Sequence, residues 1–313
     1  MRTLYPLQDS PETLQDTAVA IGVFDGVHRG HQEILKQTVR EARSQGLTPV
    51  ALTFDIHPTE LFVPHQSPPY IASLSQRVEL MEEYGGGIEA VAVVRFDRAF
   101  AGLSPEAFVA GVLEGILGAR HVLVGADFCY GSRRSGSVTT LLRDGARNGF
   151  AVTVVPPILI GGERVSSTGI RGLVAAGDLP AALGLLGHPF VVQGAVGYGK
   201  RLGRTLGYPT ANLVPTQPGQ LLPGDGIYAA YAWLADGQTV RAAVSVGTNP
   251  TTDTDGGRKI EAFLMDGFAE DVYDQSLELD FREKVRDTQT FDGLDALVTQ
   301  MEQDVQQIAA RLE

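Results

Sequence analysis

Residues 17–31 read TAVAIGVFDGVHRGH, and the fold turns on how this stretch is parsed. TAVAIGVF (17–24) is a short, mostly apolar run with β-branched residues, the pattern of a strand buried on both faces. It hands over at Asp25 and Gly26 to HQEILKQTVREARSQG, which places Ile34, Leu35, Thr38, Val39 and Ala42 on one helical face and stops at Gly46. A buried strand feeding an amphipathic helix is the opening of a βαβ unit.

Outward from that unit the alternation repeats. TPVALTF (48–54), IEAVAVVRF (88–96), RHVLVG (120–125) and FAVTVVPPILI (150–160) are further strands with helical segments between them, one opened by Ser104 as N-cap and Pro105 in its first turn. This predicts an α/β domain with a doubly wound parallel sheet and right-handed crossovers. Beyond residue 187 the pattern changes. FVVQGAV, GIYAAYAWLAD, QTVRAAVSVG, RKIEAFLMD and SLELDF read as strands without helices between them, and Asp236–Gly237 marks a two-residue hairpin turn. A small closed antiparallel β-barrel follows. The chain ends in a helix with Leu294, Leu297, Val298, Met301, Val305, Ile308 and Leu312 along one stripe, Asp292 as its cap and Asp295 in its first turn. Two domains are expected, 1–186 and 187–313.

The bulk properties narrow the function classes. Among 313 residues, 43% are hydrophobic and 20% charged, ordinary for a soluble globular protein. MRTLYPLQDSPETLQDT lacks the positive-then-apolar pattern of a secretion signal, and the long uncharged stretch between Asp178 and Lys200 is broken by Pro180, His188 and Pro189, so no membrane span is expected. A net charge of −12 argues against a nucleic-acid binder with a broad basic surface but leaves room for small anionic substrates. The lone Cys129 excludes a disulfide framework and a Cys-based zinc cluster, and fits a reducing, cytoplasmic setting.

In a parallel sheet, ligands bind beyond the carboxyl ends of strands, where the following helices present free N–H groups. Phe24–His31 occupies that corner. Gly26 and Gly30 permit close backbone approach, and His28 and His31 add donors, a combination that suits polyphosphate. The Lys-Ser/Thr pair of the kinase and GTPase phosphate loop is absent. On the residues alone, two other readings stay open: a metal site, or polar residues at a helix start. SSTGIR (166–171) lies at another strand-to-helix handover, where hydroxyls and an arginine form a second phosphate clamp. In the second half, GAVGYGKRLGRTLGYPTAN (194–212) mixes five glycines with a lysine and two arginines, a phosphate cradle or a flexible inter-strand loop.

HxGH followed far downstream by SSTxxR resembles the signature of the adenylyltransferase superfamily related to class I tRNA synthetases. The fuller pattern of IGVFDGVHRGHQ, TFDIHP, VGADFCYG and SSTGIR resembles the bacterial bifunctional riboflavin kinase/FMN adenylyltransferases, or FAD synthetases, and PTAN (209–212) resembles their kinase motif, with SVGTNPT (245–251) a further family feature. The resemblance implies a nucleotidyltransferase (Rossmann-like) N-terminal domain and a kinase barrel with a terminal helix. It implies that riboflavin is phosphorylated by ATP to FMN, and that FMN is adenylated by ATP to FAD with release of pyrophosphate. His28, His31, Ser166, Ser167, Thr168 and Arg171 would hold the ATP phosphates for adenylyl transfer. Gly22, Phe24, Asp25, Gly125 and Asp127 would shape that nucleotide pocket, with His57, Pro58 and Phe128 on the flavin side. Gly197, Gly199, Lys200, Gly203 and Gly207 would serve the kinase nucleotide. Thr210 and Asn212 would bind both nucleotide and Mg²⁺, Glu261 would be the base, and Arg286 would contact flavin. Cys129, Phe263, the 266–275 segment around Asp274, and Thr288 depart from the family pattern. The departures after Glu261 motivate one rival, an adenylyltransferase with an impaired kinase barrel; a flavin-binding regulatory protein is a rival of another class. The intact HRGH, SSTGIR, PTAN and Glu261 weigh against the second, since a binding role would not need all four.

Overall fold

The computed structural model describes residues 1–10, 13–198, 207–248, 258–266, 268 and 272–312. The chain forms two compact units, Met1–Pro68 with Ser73–Ser166, and Pro69–Ala72 with Ser167–Glu313.

The first unit is built on six parallel strands: β1 (Arg2–Leu4), β2 (Thr17–Ile21), β3 (Thr48–Phe54), β4 (Ala90–Val94), β5 (Ala119–Gly125) and β8 (Ala151–Val155). A small ribbon, β6 (Cys129–Tyr130) with β7 (Gly136–Ser137), and a hairpin, β9 (Leu159–Ile160) with β10 (Glu163–Arg164), stand outside the sheet. The order β1-β4-β3-β2-β5-β8 reverses direction at β2, so the switch point lies between β2 and β5. Every residue of β2 and β4 is buried. Alternate residues feed two cores: Val19, Ile21, Val50 and Leu52 on one face, Ala20, Ala51, Val91 and Val93 on the other. Helix α1 (Arg29–Gln45) covers the second face with Leu35 and Val39 and stops at Gly46 in the left-handed region. The unit also holds α2 (Pro58–Phe62), α3 (Leu74–Tyr84), α4 (Arg98–Ala101), α5 (Pro105–Phe108) and α6 (Val138–Asn148). Ser104 caps α5 as expected, accepting from Ala107 N–H at 3.1 Å.

Two expectations are corrected here, and one strand is added. The first strand ends at Ile21 rather than Phe24, because the corner residues turn immediately after it. FAVTVVPPILI is two pieces: Pro156 and Pro157 lack the N–H a ladder needs, so β8 stops at Val155 and Leu159–Ile160 pairs in the hairpin. The edge strand β1 lies in a stretch too short and mixed to signal itself.

In the second unit, α7 (Ser167–Ala176) and α8 (Leu179–Leu186) lead into β11 (Phe190–Gly197), β12 (Thr210–Pro215), β13 (Gly226–Leu234), β14 (Thr239–Gly247), β15 (Lys259–Leu264) and β16 (Ser276–Arg286). These six strands close as an antiparallel barrel in the order β11-β12-β15-β14-β13-β16. Phe190, Val192, Leu213, Val244, Ile260, Ala262, Leu279 and Phe281 fill its core, and Ile170, Val174, Leu179 and Leu186 of α7 and α8 belong to the same cluster. The β13–β14 hairpin has a three-residue loop, Ala235–Gly237, not the two expected. Leu234 N–H donates to Gln238 O at 2.9 Å, with Gly237 at φ 88°. Helix α9 (Leu294–Arg311) starts after Gly293, so Asp292 sits one residue too early to cap it. Its Ile308 and Leu312 pack with Ala229 and Met265 on the outside of the barrel, whereas Leu294 stays 59% exposed. Among the described residues no helix is long and apolar enough to cross a membrane.

Candidate active sites

The corner after β2 is compact and buried. His28 is the N-cap of α1, and its Nδ1 accepts from the His31 backbone N–H at 3.3 Å. With Nδ1 accepting, the proton of a neutral His28 ring belongs on Nε2. The two imidazoles stack with centroids 3.6 Å apart, and Phe24 meets His31 edge-on at 5.3 Å. Two glycines are small by necessity. A Cβ on Gly30 would stand 3.1 Å from His28 Cε1, and one on Gly22 would stand 3.1 Å from the Phe24 ring. Asp25 is buried beside them. This arrangement presents a helix N-terminus and an imidazole donor at the crevice between β2 and β5, the place where a parallel sheet takes a phosphate.

The end of β5 faces the same helix. A Cβ on Gly125 would lie 3.4 Å from Asp127 Oδ1 and 4.0 Å from Ile34 Cδ1. Asp127 accepts from Arg164 Nη2 at 2.8 Å, and this guanidinium holds its carboxyl below the ordinary value. Phe128 stacks on Tyr130 at 5.6 Å. His57 caps α2, accepting from Thr59 N–H at 3.2 Å, with Pro58 at the first helical position. Val165 O is 3.8 Å from the Cβ position of Gly30, so the chain entering the SSTGIR motif reaches the HRGH corner within the first unit. Ser166 closes that unit, and Ser167, Thr168 and Arg171 belong to α7 of the second. Arg171 Nε donates to Pro69 O at 2.7 Å within the second unit.

On the barrel, strand register arranges the second constellation. Gly197 pairs with Asn212, Asn212 with Glu261, and Glu261 with Ser245, one row across four adjacent strands. Their inward neighbours Ala211, Ile260, Ala262, Val244 and Val246 fill the core, so the row lies on the outer face. Thr210 stands two residues from Asn212 on the same face, opposite Phe263, which meets Tyr208 edge-on at 5.1 Å. Among the described residues the side chains of Thr210, Asn212 and Ser245 make no hydrogen bond. Gly207 takes φ 82°, a conformation that favours glycine. Gly199, Lys200 and Gly203 lie outside the described residues. Arg286 is engaged by α9: its Nε and Nη2 donate to Asp304 at 2.8 and 2.6 Å, and Nη1 donates to Asp287 O. No group of three His, Cys, Asp or Glu side chains that could hold a metal occurs among the described residues.

The family profile for FAD synthetase matches residues 10–169, and that for riboflavin kinase matches residues 186–312. The chain belongs to the bifunctional riboflavin kinase/FMN adenylyltransferase family. It is 34% identical to the bifunctional riboflavin kinase/FMN adenylyltransferase of Escherichia coli K12, over 97% of this chain and 95% of that one. To the Listeria monocytogenes protein of the same name it is 34% identical over 99% and 98%, and to that of Pseudomonas fluorescens 37% over 91% and 89%. A crystal structure described as a macrolide-efflux protein from Streptococcus pneumoniae shares the fold, with a TM-score of 0.82 at 30% identity over 97% of each chain. As a bifunctional riboflavin kinase/FMN adenylyltransferase, the chain combines both enzymes of flavin cofactor synthesis, and its substrates are flavins and ATP.

Two members of these sites escape sequence reasoning. Gln32 holds the corner through Nε2 to Val27 O at 3.0 Å, yet reads as an ordinary polar residue in a helix. Ser245 joins the Glu261 row only through strand register, which spacing along the chain does not reveal. Among the kinase departures, Phe263 belongs with the α9 cluster, and Asp274 accepts from the Tyr198 hydroxyl at 2.8 Å.

Proposed function

We propose that the HRGH corner and the SSTGIR motif carry FMN adenylation within 1–186, and that the outer row of the barrel carries riboflavin phosphorylation within 187–313. The single observation supporting most of this reading is His28 as the N-cap of α1 at the β2–β5 switch point, its ring stacked on that of His31. In adenylyl transfer the FMN phosphate oxygen attacks the α-phosphorus of ATP and pyrophosphate leaves, so no protein nucleophile is needed and positioning with charge neutralisation suffices. His28 and His31 donate to the phosphates, helped by the α1 N-terminus. Ser166, Ser167, Thr168 and Arg171 are read as the remaining phosphate ligands, on the strength of the motif. Gly22, Phe24, Asp25, Gly125 and Asp127 shape the adenosine side; His57, Pro58 and Phe128 take the flavin side.

In the kinase, Glu261 accepts the proton of the riboflavin 5′-hydroxyl as that oxygen attacks the γ-phosphorus. Asn212 beside it, Thr210 on the same face, and Gly197 and Gly207 form the nucleotide end. The unpartnered hydroxyl and amide oxygens of Thr210 and Asn212 are hard, neutral ligands that fit Mg²⁺. When bound, that ion would neutralise phosphate charge. The exposed free thiol of Cys129 accords with a cytoplasmic setting, and the charge of −12 with small anionic substrates rather than nucleic acid.

The test separates flavins over time from riboflavin, ATP and Mg²⁺, with a parallel reaction started from FMN. His28→Ala is expected to make FMN and stop there, and Glu261→Ala to make FAD only from supplied FMN. Equal loss of both reactions in either folded variant would sink this assignment of residues.

A further inference from the structure

The corner between β2 and α1 holds three residues at positive φ: Phe24 at 53°, Gly26 at 78° and Val27 at 36°. A β-branched residue there is strained, and such a conformation persists only where its surroundings over-determine it. Two carbonyls bracket the strained residues. Behind them, Val27 O accepts from Gln32 Nε2 at 3.0 Å. In front, Val23 O accepts from Thr53 Oγ1 at 3.0 Å and from Arg77 Nη1 at 2.8 Å.

Arg77 projects from α3 and is fully buried, at 0% exposure. Its Nη1 also donates to Phe54 O at 3.1 Å and reaches the Thr53 hydroxyl at 3.4 Å, while Nη2 donates to Asp55 O at 3.1 Å. One guanidinium therefore ties the end of β2 to the end of β3. The first leads into His28 and His31, the second into His57 and Pro58. Burying a cation is costly, and an apolar side chain would fill the same space at less cost. What only the planar fork supplies is simultaneous hold on three carbonyls in fixed directions.

We propose that Arg77 is a positioning residue of FMN adenylation: through the strand ends it sets the HRGH corner, where ATP binds, against the His57–Pro58 segment, where FMN binds. This rests on the reading of those two segments given above. The two substrates must meet in line, and misplacement by about 1 Å can cost about a hundredfold in rate.

The full chain provides its own control, since the barrel reaction does not pass through this corner. Arg77→Met and Arg77→Lys are assayed for both reactions in parallel, with thermal melting of each variant. For Arg77→Met, kcat for FMN adenylation is expected to fall about 10- to 100-fold, with KM for ATP changing less. Riboflavin phosphorylation is expected to stay within about twofold. Arg77→Lys keeps one charge but loses the fork, and recovers part of the loss. Should Arg77→Met fail to fold, Thr53→Val removes the second donor to Val23 O and is expected to lower the same kcat by a few-fold. Wild-type kcat in the folded variants, or parallel loss of both reactions, overturns the proposal. His28→Ala run alongside separates the two ideas. If it spares FAD formation, the corner reading falls and the proposal with it; if it abolishes FAD formation while the Arg77 variants do not, the positioning role alone falls.

Discussion

The smallest residues at the corner show how little latitude it has. An added methyl at Gly30 would press on the His28 ring at 3.1–3.2 Å, and that ring already accepts the His31 N–H in the first turn of α1. Gly30→Ala is expected to displace His28, cost roughly 1 kcal/mol of capping and slow FAD formation about tenfold or more, while riboflavin phosphorylation is unchanged; steady-state rates of both reactions check this. On the barrel, Asp280 is wholly buried beside Arg282. Burial pushes its carboxyl up to about 6, against the pull of that guanidinium. The folded chain thus holds this proton more tightly than the unfolded chain. The resulting stabilisation is full below about pH 4 and lost as pH rises through about 6. Asp280→Asn should remove that slope and be more stable than the native chain at pH 8, by on the order of 2 kcal/mol. Melting at pH 4.5 and 8 decides it. Neither effect is legible in the sequence: HRGH stands out by its chemistry and Glu261 only through the family resemblance, whereas Gly30's contact and Asp280's burial exist only once strands and helices pack.

At the scale of elements, the strand–helix alternation, the barrel and the terminal helix follow directly from hydrophobic period and turn residues. What the period does not carry is pairing. In the sequence the strand β12 shows only as the PTAN motif, because its Gly- and Arg-rich approach looks like loop and its own alternation is short. Helix α9 was capped one residue early for a similar reason, since Asp and Gly both serve at helix starts. Its apolar stripe does not reveal a second anchor, the fork of Arg286 on Asp304, whose side chains are 15% and 5% exposed. Removing one partner leaves a buried charge. Asp304→Ala is expected to cost about 3–5 kcal/mol, lowering the urea midpoint at which kinase activity is lost, and the double change Arg286→Met with Asp304→Leu should recover much of it.

The whole molecule divides less simply than its motifs. The kinase family match begins at residue 186, but α7 and α8 share the barrel's apolar core, and Pro69–Ala72 joins the same unit through Tyr70 N–H to Gly219 O at 2.9 Å and Leu221 N–H to Tyr70 O at 2.7 Å. A fragment beginning at Gly187 should therefore expose the surface that Ile170, Val174 and Leu179 cover, bind a hydrophobic dye and aggregate. Extending it back to Ser167 should suppress both, as dye fluorescence and light scattering would report. The barrel carries one more consequence, which concerns its making. Its last strand, β16, pairs with both β11 and β13, so each of these lacks its second partner until residues 276–286 exist. On the ribosome the parallel sheet, whose final strand ends at Val155, is complete while the barrel is still an unclosed set of strands with two bare edges. A stop codon between residues 265 and 275, after the fifth barrel strand and before the sixth, would thus release an intact parallel sheet attached to a strand-edge template for aggregation, rather than a chain that has merely lost one of its two activities.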